Sequence, residues 1–256
     1  MLKMKNKLNL YLFIVPYIGI LSFFTFNIVA IAGYPGYNKC SFFSDVDCES
    51  DHYSFSINFF SELGSIYTNT DDDGPPVNEM GENNIKNTFS MVFFNLSLII
   101  VGIVIIIFYQ YFYKLFIFKN DSNNSQKYSL LCRYIGLLTG LMFAGIGLVP
   151  HDLDFKLHVF FANGAFLTLL ILSIFHTLSF YNSKYIKSHY AYGYILFCVL
   201  LAAYLYLIFL GPEIGPGMNF SRSDLVIQVV GQKLIILSFS IAMIYQTAGI
   251  RKTLNS

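Results

Sequence analysis

Residues 147–164, GLVPHDLDFKLHVFFANG, hold two histidines, two aspartates, a lysine and an asparagine between two of the most apolar runs of the chain. These residue types bind zinc, and a histidine beside a carboxylate titrates near neutral pH. Spacing limits the metal reading. In a continuous helix the seven residues from His151 to His158 span about 10.5 Å. Zinc holds its nitrogen ligands at about 2.0–2.1 Å, so such a helix cannot place both imidazoles on one ion. Pro150 and a short connection let His151 fold back. His151, Asp152 and His158 are therefore read first as a hydrogen-bonded polar cluster, with a zinc site as the alternative. Asp154 has a simpler role as the N-cap of the helix that follows.

Other polar residues fall inside apolar runs, where they are costly and tend to face a bundle interior or a wet cavity. Asn95 lies about two turns into one run, and Asn163 lies deeper than His158 in another. Asp224, Gln228, Gly231 and Gln232 fall on one face of a helix, within an arc of about 100°. Lys233, about 14 Å along the same helix from Asp224, points elsewhere. A lysine at that depth calls for water or a carboxylate, and Glu62, Asp152 and Asp154 are the acids on its side. Asn95, Asn163, Gln228 and Gln232 also fit a plainer role as interhelical hydrogen-bond partners. Few polar residues occupy the opposite halves of the runs. They are Gln110, Arg133, His176 and Gln246, each expected to snorkel to the nearer surface.

The elements that must position these groups are membrane helices. The chain has 256 residues, 55% hydrophobic and 12% charged, against about a quarter charged in soluble domains. Six runs, near 8–32, 89–116, 129–149, 155–180, 190–210 and 225–248, are long enough to cross a bilayer. The expected fold is an all-α polytopic bundle of six transmembrane helices in a single membrane domain, 1–256, with a large outer first loop at 34–88. The first run has the basic flank of a signal peptide, but its apolar core is too long for one, so a retained helix is expected. Gly136, Gly140, Ala144 and Gly147 form a small-residue packing face. The sequence shows no nucleic-acid signature.

Orientation follows from lysine and arginine. Eleven of the 16 basic residues fall on one side: Lys3, Lys5, Lys7, Lys114, Lys119, Lys127, Arg133, Lys184, Lys187, Arg251 and Lys252. Asp121 is the acid that joins them. Both termini are therefore expected in the cytoplasm of a multi-pass cell-membrane protein, with the 150s segment outside. The outer loop carries an acidic run, Asp71-Asp72-Asp73, read as solvated. Its Cys40 and Cys48 are expected to pair as a disulfide on the oxidising side. Cys132 and Cys198 read as small buried hydrophobes. Within the loop, SFSINFFSELGS (Ser54–Ser65) reads as a short helix on or dipping into the outer interface, with Ser61 and Glu62 near its end.

Three stretches carry a resemblance: FFSELGS (Phe59–Ser65), FFNLSLIIVGI (Phe93–Ile103) and GIGLVPHDLDFKLHVFFANGAF (Gly145–Phe166). Here the chain resembles an uncharacterised six-span membrane family, numbered nine-nine-eight among domains of unknown function. It is also loosely similar to the Frag/DRAM/Sfk-like group. The resemblance implies six helices, assigns no reaction, and marks Ser61, Glu62, Asn95, His151, Asp152 and His158 as recurring polar positions. The acidic insertion near 68–84 departs from the pattern. A fainter similarity links the chain to zinc-dependent membrane hydrolases of the alkaline ceramidase type, whose paired HxxxH is missing here.

Taken together, the residues point to an outward-facing polar pocket that binds a lipid head group or small amphiphile. Its candidates are Ser61, Glu62, Asn95, His151, Asp152, His158, Asn163, Gln228, Gln232 and Lys233. Two alternatives stay open. One is a membrane-embedded metal-dependent lipid hydrolase using His151, Asp152, His158 and Glu62. The other is a proton-coupled transporter using Lys233 with an acid. Membrane lipids are the expected partners, and no cofactor is expected outside the zinc alternative.

Overall fold

The computed structural model describes residues 2–38, 49–68, 85–214 and 218–255. Cys40, Cys48 and the Asp71–Asp73 run lie outside the described residues. Six helices are long and apolar enough to cross a membrane: α1 (Leu2–Ala32), α2 (Thr88–Phe118), α3 (Asn123–Leu148), α4 (Phe155–Tyr181), α5 (Ser188–Leu210) and α6 (Arg222–Asn255). The protein is an all-α six-helix bundle. The reason is the one that selects helices in lipid: a helix satisfies its own backbone N–H and C=O groups where no water is present.

Local sequence sets the joints. Pro16 lacks an N–H, and a π-helical stretch at Leu10–Ile14 lies just before it in α1. Asn120, at φ +48°, takes the left-handed conformation after α2, which asparagine tolerates better than most residues. The Ser122 hydroxyl caps α3 by accepting from Ser125 N at 3.1 Å. Asp154 caps α4 as expected, its carboxylate accepting from Leu157 N at 2.9 Å.

Sequential helices pack side by side, and α6 returns to meet α1. The small-residue face of α3 does what its spacing predicts. A methyl at Gly140 would lie 2.5 Å from the Gly102 carbonyl oxygen, and one at Gly136 would lie 2.6 Å from Tyr109 Cβ. The α2 and α3 backbones meet there with no space for side chains.

The half of the bundle away from the 150s segment corrects one expectation. His176 and Gln246 do not snorkel; both are fully buried. His176 falls on the inward stripe of α4 with Leu169, Leu172 and Phe180. Its ring stands 4.2 Å from Phe112, 4.5 Å from Tyr194 and 4.7 Å from Phe180 between centroids. Its Nδ1 is 3.0 Å from the Tyr109 hydroxyl. Arg133, by contrast, is half-buried and donates from Nε to Gln110 Oε1 at 2.7 Å.

The outer loop is anchored by two short antiparallel ladders, Tyr37–Asn38 with Glu49–Ser50 and Tyr67–Thr68 with Ile85–Lys86. Between them runs a 3-10 turn, Phe60–Gly64. It covers only the end of the Ser54–Ser65 stretch that reads as a helix. Leu63 is fully buried, and the turn packs against α2 and α6. We refer to residues 53–66 as the plug.

Candidate functional site

The plug is built around Asn58, a residue to which the sequence reading assigned no role. Asn58 is fully buried, and its side chain and carbonyl all work. Oδ1 accepts from Ser54 N at 2.9 Å, and Nδ2 donates to Glu62 Oε2 at 2.6 Å. The carbonyl oxygen accepts from the Tyr53 hydroxyl at 2.9 Å and from Lys233 Nζ at 2.7 Å. Glu62 Oε1 in turn accepts from Phe59 N at 2.8 Å, closing the turn from its own end. The plug is thus a small folded unit made of its own polar groups, in which a buried amide and a carboxylate satisfy each other.

Four elements hold this unit in the bundle. From α6, Lys233 reaches Asn58, its ammonium 5.0 Å from the Phe55 ring, 5.2 Å from Phe60 and 5.5 Å from Tyr53. Such contacts favour a cation through the ring quadrupole. Gln232 Oε1 accepts from Phe60 N at 2.9 Å. From α2, Asn95 Nδ2 donates to the Gly64 carbonyl at 3.1 Å and Ser90 to the Leu63 carbonyl at 3.0 Å. Just before α2, Asn87 Nδ2 donates to the Leu63 and Ser65 carbonyls, each at 3.1 Å. From the α3–α4 connection, Asp152 spends both oxygens on the plug's exit, accepting from Ile66 N at 3.0 Å and Tyr67 N at 2.9 Å. Gly64 is required where it is: a side chain there would strike Asn95 Oδ1 and the Phe94 ring. Burial, and then the nearby Glu62 charge, hold the Tyr34 and Tyr53 phenols above their ordinary range, so both stay protonated.

Beneath the plug is a cavity of about 290 Å³. Its polar groups gather at one end: Ser61 and Glu62 from the plug, His151, His158 from the first turn of α4, and Gln232 from α6. The rest is apolar, with walls from α1 (Phe23), α2 (Leu98, Val101), α3 (Phe143), α4 (Phe166, Leu169) and α6 (Phe239, Met243). Ser240 is the polar residue of the lower part, and its hydroxyl donates to the Ile236 carbonyl of its own helix at 2.9 Å.

The ten expected pocket residues therefore divide. Ser61, Glu62, His151, His158 and Gln232 share the lining. Asn95, Asp152 and Lys233 do not; they hold the plug that forms the cavity's roof. Gln228 is also outside the lining, donating to the Pro212 carbonyl at 2.7 Å and so fixing the α5–α6 connection. Asn163 is half-buried and likewise outside it.

His151 and His158 do come together, with ring centroids 5.9 Å apart. His158 Nδ1 is 2.7 Å from the Val149 carbonyl. A carbonyl only accepts, so Nδ1 carries the hydrogen. His151 Nδ1 is buried and meets no protein partner. Asp152, the third member of the zinc alternative, points its oxygens at backbone N–H groups of the plug instead. Among the described residues no three His, Cys, Asp or Glu side chains are grouped as a metal ion would need.

Fold and composition together define a multi-pass integral membrane protein. Comparison with family models, with curated proteins and with solved structures finds no match to the chain.

Proposed function

We propose that the protein binds a small amphiphile, its head group beneath the plug and its tail in the apolar part of the cavity. The observation that carries this reading is the polarity of one continuous cavity. Five residues with polar side chains cluster at the roof, while the lower walls are aromatic and aliphatic apart from Ser240. Ligand sites commonly combine an apolar wall with a few placed polar groups in this way. The roof lies on the side away from the eleven basic residues. The proposal therefore includes both termini in the cytoplasm, a cell-membrane location and a head-group end toward the outside. Membership of the six-span family resembled above belongs to the same proposal and adds no reaction.

The test is chemical. Protein purified in mild detergent is extracted with organic solvent and the extract analysed by mass spectrometry. An amphiphile present near one per protein, and lost from Ala162→Phe, supports the reading; Ala162 is a small residue of the cavity wall. Extracts indistinguishable from those of an unrelated six-helix membrane protein would sink it.

A second reading, the lipid hydrolase, has one specific support. His151 and His158 meet at the head-group end beside Ser61 and Glu62. Lipid incubated with the purified protein, with and without added zinc, should yield a cleaved product that His158→Leu abolishes. The carrier reading has less behind it, because Lys233 is outside the lining and occupied in the plug.

A further inference from the structure

We infer that the head group at this site is an uncharged hydroxyl on a single aliphatic chain, as in a long-chain alcohol or a monoacylglycerol. The inference rests on the pocket reading above and specifies its ligand.

Charge is the first constraint. Among the described residues the lining contains one carboxylate, Glu62, and no lysine or arginine. Lys233 lies behind the Asn58 carbonyl and against the Phe60 ring. A phosphate or carboxylate head group would be set beside the Glu62 carboxylate, and the lining holds no lysine or arginine to pair with it. A cationic head group is no better matched. Both Glu62 oxygens already accept hydrogen bonds, from Phe59 N and Asn58 Nδ2, and the Lys233 ammonium shares the Asn58 hub.

Hydrogen-bond polarity is the second constraint. With the Nδ1 hydrogen of His158 given to Val149, the neutral ring presents Nε2 as an acceptor. Gln232 must turn its oxygen to the Phe60 N–H, which leaves the amide nitrogen as a donor. His151 Nδ1, buried at the same end, still needs a partner. The lining therefore includes an acceptor and a donor, the pair of functions that a single hydroxyl can use. A quaternary ammonium uses neither, and an ionised phosphate cannot donate to His158.

Shape is the third. On α4 the wall runs from His158 to Leu169, eleven residues or about 16 Å along the axis. No free polar side chain interrupts it, since Ser240 is satisfied by its own helix. At about 290 Å³, the volume is at the low end for small-molecule sites, which run from about 300 Å³. That is room for one chain rather than two.

The experiment uses the full-length protein in nanodiscs and radiolabelled 1-monolauroylglycerol as the probe. Dodecanol, dodecyl phosphate, laurate and dodecyltrimethylammonium compete. All four carry chains of the same length, so only the head group differs. Saturable uptake that Ala162→Phe removes, with dodecanol competing about tenfold better than each charged analogue, is the expected result. His158→Leu should erase that preference; a melting temperature close to wild type in the same preparation shows that the variant is folded. Saturable, Ala162-dependent uptake with a charged analogue equal to or ahead of dodecanol overturns the head-group inference alone. Uptake that is unsaturable, or unaffected by Ala162→Phe, overturns the pocket reading with it.

Discussion

The Lys233 ammonium donates a 2.7 Å hydrogen bond to the carbonyl oxygen of Asn58, a residue 175 positions earlier in the chain. Glu62 accepts from the side chain of that same asparagine at 2.6 Å. A cation from α6 and an anion from the plug thus converge on one buried amide. This arrangement explains how a lysine survives about three turns into a membrane helix.

It also sets a prediction. Hydrogen bonds to charged groups contribute about 1.5–3 kcal/mol, so Lys233→Met should lower the melting temperature of the purified protein by several degrees. Asn58→Leu removes partners from both Glu62 and the Ser54 N–H and should lower it further. The two changes together should cost less than their sum, because both act on one hub. A double mutant whose shift equals the sum would show that Lys233 and Asn58 act independently.

Asp152 and Asp154 stand two positions apart and do different work. Asp152→Asn leaves a side chain of the same size but only one acceptor oxygen, so it loses one of the two bonds to Ile66 and Tyr67 and the charge that strengthens the other. Limited proteolysis should then cut sooner after the plug, near residue 68, than in the native protein. Asp154→Ala removes only a helix cap, worth about 1 kcal/mol, and should leave that cleavage rate unchanged. Equal acceleration by both would mean that Asp152 does not anchor the plug.

The α2–α3 contact leaves no room at Gly140. Gly140→Val should therefore destabilise by about 1–3 kcal/mol through overpacking, read as earlier unfolding in a detergent titration. Leu141, exposed on the next position of the same helix, is the control: Leu141→Val should shift unfolding much less. Comparable losses at both sites would contradict the close approach.

Orientation is tested by accessibility. In a cysteine-free background, a cysteine at Ser122 should resist an impermeant thiol reagent in intact cells, and a cysteine at Asp72 should react. The reverse labelling pattern would invert the topology inferred from the basic residues.

Much of this protein follows from the one-dimensional sequence. Runs of twenty or more apolar residues become helices in lipid because nothing else satisfies their backbone, and the six helices fall on the runs that hydrophobicity marks. Asp154 as a cap and Gly136 and Gly140 as a packing face were equally legible. Both depend on spacings of three or four residues within one helix. The plug was not legible at that level. Tyr53–Phe59 alternates apolar and polar residues, which would place Asn58 on the polar face rather than at a buried centre. Nor could the sequence say that Asp152 would turn to Ile66 and Tyr67 while its neighbour His151 turned to the cavity, or that His176 would be enclosed by Phe112, Phe180 and Tyr194. Those outcomes depend on which residues 85 or 175 positions away supply the nearest hydrogen-bond partner. Local propensity fixes which segments are helices; only packing in three dimensions brings a donor from one helix to an acceptor in a distant loop, and so decides which polar residues form the cavity and which hold its roof in place.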